Sequence, residues 1–178
     1  MQGGVWTFFL EDLRKRVVGI DNDRTMMLIA GEYKKMYNKK SNFVLTDICD
    51  YKYKHYDSAL FLDNSIINLN KKQFSKLLKQ LDGRVKNFIL EINKNRLIEK
   101  TLDYKFGTFD IQEKILRDGG NRYKRIFFNK QTGAKFSINS YNWSVDEIKK
   151  LLLGHGSIVI EKETSNSKIF FLRLQHGQ

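Results

Sequence analysis

The acidic side chains are the first groups in this sequence that could do chemistry. Two or three carboxylates that converge can hold Mg²⁺ and activate a water molecule. The candidates are Asp47, Asp50, Asp57 and Asp63, with Asp110 and Glu113 in a later segment. Because acidic residues are also common at strand ends and turns, a Mg²⁺-dependent nuclease is kept only as a second alternative. No metal ligand is assigned and no cofactor is expected.

Other catalytic patterns are missing from the sequence. None of the three histidines, His55, His155 and His176, has a partner at metal-ligand spacing. Neither Gly-x-Ser-x-Gly nor a Walker A sequence occurs. The lone Cys49 has no base nearby in sequence and is expected to be a small buried side chain. The sequence therefore predicts a protein that is not an enzyme.

Charge and aromatic content point to a polyanionic partner. The 178 residues include 32 Lys and Arg against 20 Asp and Glu, which gives a formal net charge of +12. Such a surplus favours association with a polyanion, and the 13% of aromatic residues could supply rings that stack on bases. There is no apolar run long enough to span a membrane. The absence of a secretory signal and the single cysteine favour an intracellular protein.

Two segments have helical periodicity. Phe74, Leu77, Leu78 and Leu81 form one apolar stripe over residues 70–83, with Asn70 as the cap. A second helix follows Ser144, which forms a capping box with Glu147; its apolar residues are Val145, Ile148, Leu151 and Leu152. Short runs rich in β-branched and aromatic residues predict strands over 5–10, 16–20, 25–31, 42–49, 58–62, 85–92, 96–102, 106–116, 123–128, 134–140, 157–161 and 169–174.

The order of these elements indicates an internal repeat. Each half shows strands that end in Ile-Asn, then an aromatic-Ser pair, then a helix closed by glycine. We therefore predict an α+β protein that is rich in antiparallel strands. Its two strand-strand-strand-strand-helix halves, 1–84 and 85–178, would pack as one unit, each sheet burying one face on the helices.

This arrangement resembles the Whirly and PUR class of proteins that bind single-stranded nucleic acid. The resemblance rests on element order and on one basic, aromatic strand with its Gly-containing turn, Arg122–Phe128 through Gly133–Ile138. It implies non-catalytic, sequence-tolerant binding of single-stranded DNA or RNA across sheet surfaces, and a homo-oligomer. Cations would meet phosphates and rings would stack on bases. The binding residues that it implies are Tyr51, Lys52, Tyr53, Lys54 and Tyr56, with Tyr123, Lys124, Arg125, Lys130 and Lys135.

The Tyr-Lys alternation over residues 51–56 leaves two interpretations open. On a strand, Tyr51 and Tyr53 would share one face and the lysines the other, so a single face offers rings or charges but not both unless the segment is a loop. The segment is then a binding element or an edge strand with solvated lysines. At the level of function, the first alternative is a structural or assembly protein, such as a viral or phage component, with a basic surface.

Overall fold

The computed structural model describes residues 4–94, 97–106 and 109–175, and the chain divides into two compact units, Met1–Tyr53 and Lys54–Gln178. The first unit alternates helices and strands: α1 (Val5–Asp12), β1 (Val18–Asp21), α2 (Arg24–Met36) and β2 (Asn42–Leu45). The second unit contains β3 (Tyr56–Phe61), a short 3₁₀ helix (Ser65–Asn68), α3 (Lys71–Leu81), β4 (Val85–Asn93), β5 (Lys100–Phe106), β6 (Phe109–Arg117), β7 (Arg122–Asn129), β8 (Lys135–Tyr141), α4 (Val145–Leu153), β9 (Gly156–Glu163) and β10 (Ser167–Leu174).

The first unit is a parallel strand pair connected by a helix. β1 and β2 run parallel in a register that pairs Val18 with Asn42 and Asp21 with Leu45. α2 connects them, because the side chain of Asp23 accepts hydrogen bonds from the backbone N–H groups of Thr25 and Met26 and so starts a helix. Phe43 of β2 lies so close to Gly19 of β1 that a Cβ at residue 19 would come within 2.6 Å of the Phe43 ring. Only glycine leaves room for this packing.

The second unit contains a mixed sheet with strand order β3-β4-β10-β9. β3 and β4 are parallel and are connected by α3, whereas β10 is antiparallel to both β4 and β9. Both predicted helices are confirmed, each with a capping box, at Asn70 and Ser144. The predicted apolar stripe of α3 is buried. Phe88, Leu90, Phe170 and Leu172 on β4 and β10 are also fully buried.

A separate four-stranded antiparallel sheet, in the order β5-β6-β7-β8, completes the second unit. β7 and β8 lie within one residue of the predicted runs 123–128 and 134–140, and β6 overlaps most of the run 106–116, whereas β5 begins and ends four residues later than the predicted run 96–102. The turn between β6 and β7 needs Gly119 and Gly120, whose φ angles of 86° and 55° lie in the left-handed region. Several predictions fall outside the described residues: the start of the strand at Arg96, residues 107 and 108 of the strand 106–116, and His176.

The predicted fold class is wrong. Residues 5–10 and 25–31, which were expected to be strands, lie in α1 and α2. Two of the three sheets contain parallel pairs connected by helices, which an antiparallel sheet-and-helix repeat does not have. The expected boundary between residues 84 and 85 falls within the second unit. The repeated Ile-Asn pairs also differ in structure, since Ile67 and Asn68 lie in the 3₁₀ helix and Ile138 and Asn139 in β8.

Candidate functional site

The carboxyl ends of β1 and β2 lie side by side in the first unit. Asp21 is the last residue of β1 and Leu45, its register partner, is the last of β2. Beyond them, the backbone N–H of Thr46 donates to the Asp21 carbonyl at 2.9 Å, which holds the two chain segments together. In open α/β sheets, ligands bind in the crevice outside the carboxyl ends of parallel strands. We call this place the strand-end edge and define it by residues 21–26 and 46–51.

The Asp21 carboxylate is held in place at the strand-end edge. Its Oδ1 accepts a hydrogen bond of 3.0 Å from the backbone N–H of Asp23, and its side chain is half-buried. Asp23 is in turn committed to capping α2. The first turn of α2 therefore fixes the direction in which the chain leaves β1 and keeps the Asp21 carboxylate at the end of the strand.

A second carboxylate organises the turn after β2. Asp47 Oδ1 accepts from the backbone N–H of Cys49 at 2.7 Å, and the Asp47 carbonyl accepts from the N–H groups of Asp50 and Tyr51. Cys49 is buried, as the sequence predicted. The strand-end edge carries four carboxylates, Asp21, Asp23, Asp47 and Asp50, against the single cation Arg24, in a chain of net charge +12. It is therefore locally acidic and suits a ligand with a positive charge or hydroxyl donors.

The start of α1 packs on the same strand pair. Gly4 precedes α1 with a φ of 87°, and a Cβ at this residue would come within 2.9 Å of the Phe43 ring. The rings of Phe8 and Phe43 meet edge to face, with their centroids 5.4 Å apart. The carboxylate of Glu11 accepts from the backbone N–H groups of Lys40 and Ser41 just before β2. Its hydrogen bond with the Ser41 side chain holds the pKa of Glu11 below its ordinary value. Both ends of α1 are thus tied to β2.

The predicted Tyr-Lys segment does not form a continuous strand. Residues 51–55 lie outside regular structure and β3 begins at Tyr56. Tyr53 is only 6% exposed and its hydroxyl donates to the Ile48 carbonyl at 3.1 Å. Lys52 and Lys54 are exposed, whereas Tyr51 and Tyr56 are half-buried. The Tyr51 and Tyr53 rings meet edge to face with centroids 5.0 Å apart.

The second predicted group is divided between the two faces of the antiparallel sheet. Lys124 lies opposite Asn139, and Lys135 lies opposite Phe128. Because side chains alternate along a strand, Arg122, Lys124 and Phe128 project from the same face of β7, and Lys135 shares that face. Tyr123 and Arg125 project from the other face. Lys130, in the turn after β7, binds the Asp103 carboxylate at 2.7 Å. The hydrogen bond between them raises the pKa of Lys130 and lowers that of Asp103.

Arg125 belongs to a polar cluster, which we define as Tyr104, Glu113 and Arg125. Glu113 is 1% exposed, and its carboxylate accepts from the Arg125 guanidinium and, at 2.5 Å, from the Tyr104 hydroxyl. The Arg125 guanidinium also lies 5.1 Å from the centroid of the Phe127 ring. Arg125 therefore neutralises a buried carboxylate, a role for which its charge alone gave no signal in the sequence.

This cluster should make the stability of the folded protein depend on pH in the alkaline range. Burial, together with the hydrogen bond to Glu113, raises the pKa of Tyr104 to about 12, against about 10 in an unfolded chain. The stability that this tyrosine contributes is present below the unfolded pKa and is lost as the pH rises from about 10 to about 12. Urea unfolding across this range should show a loss of stability in the wild-type protein that is smaller in Tyr104→Phe. Equal pH slopes in the two proteins would contradict the assignment.

Among the described residues, no group of three or more His, Cys, Asp or Glu side chains is placed to hold a metal ion. The acidic residues that the sequence analysis grouped are instead distributed over the two units. In the same part of the chain, no helix is long and apolar enough to cross a membrane.

Solved structures have the same fold as this chain. A S-adenosylmethionine-dependent methyltransferase from Clostridium acetobutylicum aligns with a TM-score of 0.73 at 14% identity, over 90% of this chain and 75% of that one. A protein from Pyrococcus horikoshii gives a TM-score of 0.75 at 20% identity, over 98% of this chain and 80% of its own. A Burkholderia thailandensis 1,6-didemethyltoxoflavin-N1-methyltransferase was solved with 1,6-didemethyltoxoflavin and S-adenosylhomocysteine bound. It aligns with a TM-score of 0.60 at 12% identity, over 97% of this chain and 67% of that one. No protein-family model and no curated protein matches the sequence.

These likenesses establish the fold of the chain as the α/β, Rossmann-like fold of S-adenosylmethionine-dependent methyltransferases. The resemblance to Whirly and PUR proteins is wrong, because it depended on an antiparallel repeat that the chain does not contain. The predicted non-enzymatic role, the single-stranded DNA or RNA partner, and the alternatives of an assembly protein and a nuclease are overturned by the same finding. The assignment of ten residues to a nucleic-acid surface depended on that function.

The strand-end edge was missed although the sequence contained a signal for it. Residues 17–21 form an apolar run that ends in Asp21, and Asp23 follows as a cap before a run of Met, Leu and Ala, which favour helices. Strand, acidic residue, cap and helix is the order of the first half of a βαβ unit. The prediction of a strand over 25–31, where the structure has α2, hides this order.

Proposed function

We propose that this protein binds S-adenosylmethionine and transfers its methyl group to a small molecule. The observation that carries the proposal is the Asp21 carboxylate at the carboxyl end of a parallel strand, in a fold shared with proteins described as methyltransferases. In Rossmann-type sheets, an acidic residue in this place accepts hydrogen bonds from the hydroxyl groups of an adenosine ribose. S-adenosylmethionine carries such a ribose.

The residues at the strand-end edge fit this cofactor in chemistry. Asp21 would accept from the ribose, and its hydrogen bond from the Asp23 N–H orients it for that purpose. The local excess of carboxylates suits the positive charge of a sulfonium. When bound, S-adenosylmethionine supplies an electrophilic methyl group on that sulfonium. The protein's contribution is to hold the cofactor in one orientation, which converts a reaction between two free molecules into one between positioned partners.

Calorimetric titration with S-adenosylhomocysteine tests this proposal. The wild-type protein should bind it, and Asp21→Asn should weaken binding by about 1.5–3 kcal/mol, the range for a hydrogen bond to a charged group. Asp57→Asn is the matched control, because it removes an exposed carboxylate that pairs with Lys86 in the second unit. Failure of the wild-type protein to bind, or equal affinities for the two variants, would reject the proposal.

A further inference from the structure

The outer face of α3 carries a row of lysines. Lys72, Lys76 and Lys79 follow one another at helical spacing, so they project from the same side of the helix. All three are exposed, whereas the apolar residues on the opposite side of α3 are buried in the core. We call these three lysines the basic stripe. Because a helix rises by about 1.5 Å per residue, the stripe is about 10 Å long.

The stability of the helix does not explain the basic stripe. α3 contains four lysines and no carboxylate. Neighbouring lysines of the stripe are four and three residues apart, and like charges at these spacings destabilise a helix. Lys71 and Lys72 also lie in the first turn, where the helix dipole disfavours a positive charge. The arrangement therefore costs stability, and a role outside the fold accounts for it.

The ends of the stripe are not neutralised within the protein. Lys72 and Lys79 form no ion pair with a carboxylate of the described residues. The residues outside the described ranges include no Asp or Glu, so none of their side chains can pair with the stripe. The proposed methyl transfer does not use this charge either, since S-adenosylmethionine is itself positively charged. The stripe therefore suits a negatively charged partner other than the cofactor.

The face of α3 that carries the stripe lacks the apolar anchors of a protein interface. Such interfaces centre on well-packed aromatic or aliphatic side chains, and α3 exposes no large apolar residue. Its apolar side is occupied in the core, so it is not available to a groove or to the hydrocarbon of a membrane. Charge alone is left for binding. The headgroups of anionic phospholipids fit this requirement, because they form a continuous negative surface that attracts clusters of lysine.

We propose that the basic stripe binds the surface of a membrane that contains anionic phospholipids. The three ammonium groups would meet the negative headgroups, while α3 stays packed on the mixed sheet and does not enter the hydrocarbon. Binding of this kind is electrostatic, so salt should reverse it. The inference does not depend on the proposed function, because it uses only the charges and the packing of α3.

Co-sedimentation of the full chain with phospholipid vesicles tests the proposal. We expect the protein to bind phosphatidylcholine vesicles that contain about 30% phosphatidylserine and not vesicles of phosphatidylcholine alone. Raising the salt from about 0.1 M to about 1 M shortens the screening length from about 10 Å to about 3 Å and should release the bound protein. Binding to both kinds of vesicle, or binding that survives the salt, would overturn an electrostatic site.

A triple variant locates the binding on α3. Lys72→Gln, Lys76→Gln and Lys79→Gln together should weaken binding to the anionic vesicles about a hundredfold, because each lysine near such a surface contributes about fivefold. Undiminished binding by this variant would overturn the proposal.

The matched control removes the same charge from another surface of the second unit. Lys114, Lys124 and Lys135 are exposed lysines of β6, β7 and β8. Their joint replacement by glutamine should leave binding within about threefold of that of the wild-type protein, because only the net charge changes. Equal losses in the two triple variants would overturn the basic stripe, since net charge alone would then explain the binding.

Unfolding in urea separates loss of the site from loss of the fold. With the repulsion on α3 removed, the stripe variant should unfold at the same urea concentration as the wild-type protein or a higher one. A lower midpoint would show that the stripe stabilises the fold and would overturn the argument for an external partner. Binding to poly-glutamate without binding to the anionic vesicles would overturn the membrane in favour of an acidic protein. Titration of the same proteins with S-adenosylhomocysteine reports separately on the proposed function.

Discussion

Phe74→Ala is expected to lower the free energy of unfolding by about 3–5 kcal/mol, the cost of emptying a fully buried aromatic site. Phe74 lies on α3 with no exposed surface, and its ring centroid is 6.5 Å from that of Phe88 on β4 and 5.7 Å from that of Trp143. Its removal leaves a cavity between the helix and the mixed sheet. Urea denaturation followed by circular dichroism measures the change.

The matched control for Phe74 is an exposed phenylalanine in the same unit. Phe136 on β8 is 60% exposed and stacks on Phe127 with their centroids 4.7 Å apart. Phe136→Ala should cost no more than about 1.5 kcal/mol, the range for one aromatic pair. Equal losses in the two variants would show that α3 does not pack on the mixed sheet as described.

Glu113→Ala is expected to be comparably destabilising, by about 3–5 kcal/mol, because it leaves the partner of a buried ion pair without its countercharge. The Glu113 side chain is 2% exposed and that of Arg125 is 22% exposed, so water can solvate the remaining guanidinium only in part. The Tyr104 hydroxyl loses its acceptor in the same variant. Urea denaturation again provides the measurement.

Two further variants separate the ion pair from a general effect of removing acidic residues. Glu163→Ala removes an exposed carboxylate that contacts Lys94 and Lys168, and it should cost about 1 kcal/mol or less. Replacing Glu113 and Arg125 together by leucine should recover most of the stability lost in Glu113→Ala, because apolar pairs often substitute for buried ion pairs at little cost. If Glu113→Ala is as stable as the wild-type protein, the cluster contributes nothing to the fold.

The sequence predicted those elements whose pattern is local and unambiguous. α3 and α4 were predicted with their caps, because stripe and cap lie within a dozen residues of one another. Three strands of the antiparallel sheet, β6, β7 and β8, were predicted from short runs between turn residues. α1 was not, because Val5–Asp12 begins with six apolar or β-favouring residues, and a short run of this kind has no distinguishing period.

The sheets could not be assigned, because pairing partners are set by contacts between distant segments. Nothing in residues 56–61 states that they lie parallel to residues 85–90. The strand-end edge depends on the same long-range order, because its two segments follow different strands and meet only in the folded chain. When binding residues are chosen by charge and aromatic rings, Arg125 and Tyr53 are included, although their side chains bind Glu113 and the Ile48 carbonyl within the protein. The same choice passes over Asp21, whose importance comes from its place at the end of a parallel strand.

Hydrogen exchange with and without S-adenosylhomocysteine tests the cofactor site most directly, because it reports where the ligand binds as well as whether it binds. Backbone amides of the strand-end edge, in residues 21–26 and 46–51, should exchange more slowly when S-adenosylhomocysteine is present, and this protection should be lost in Asp21→Asn. Unchanged exchange in both segments at saturating ligand, or protection that persists in Asp21→Asn, would contradict the assignment of this edge as the cofactor site.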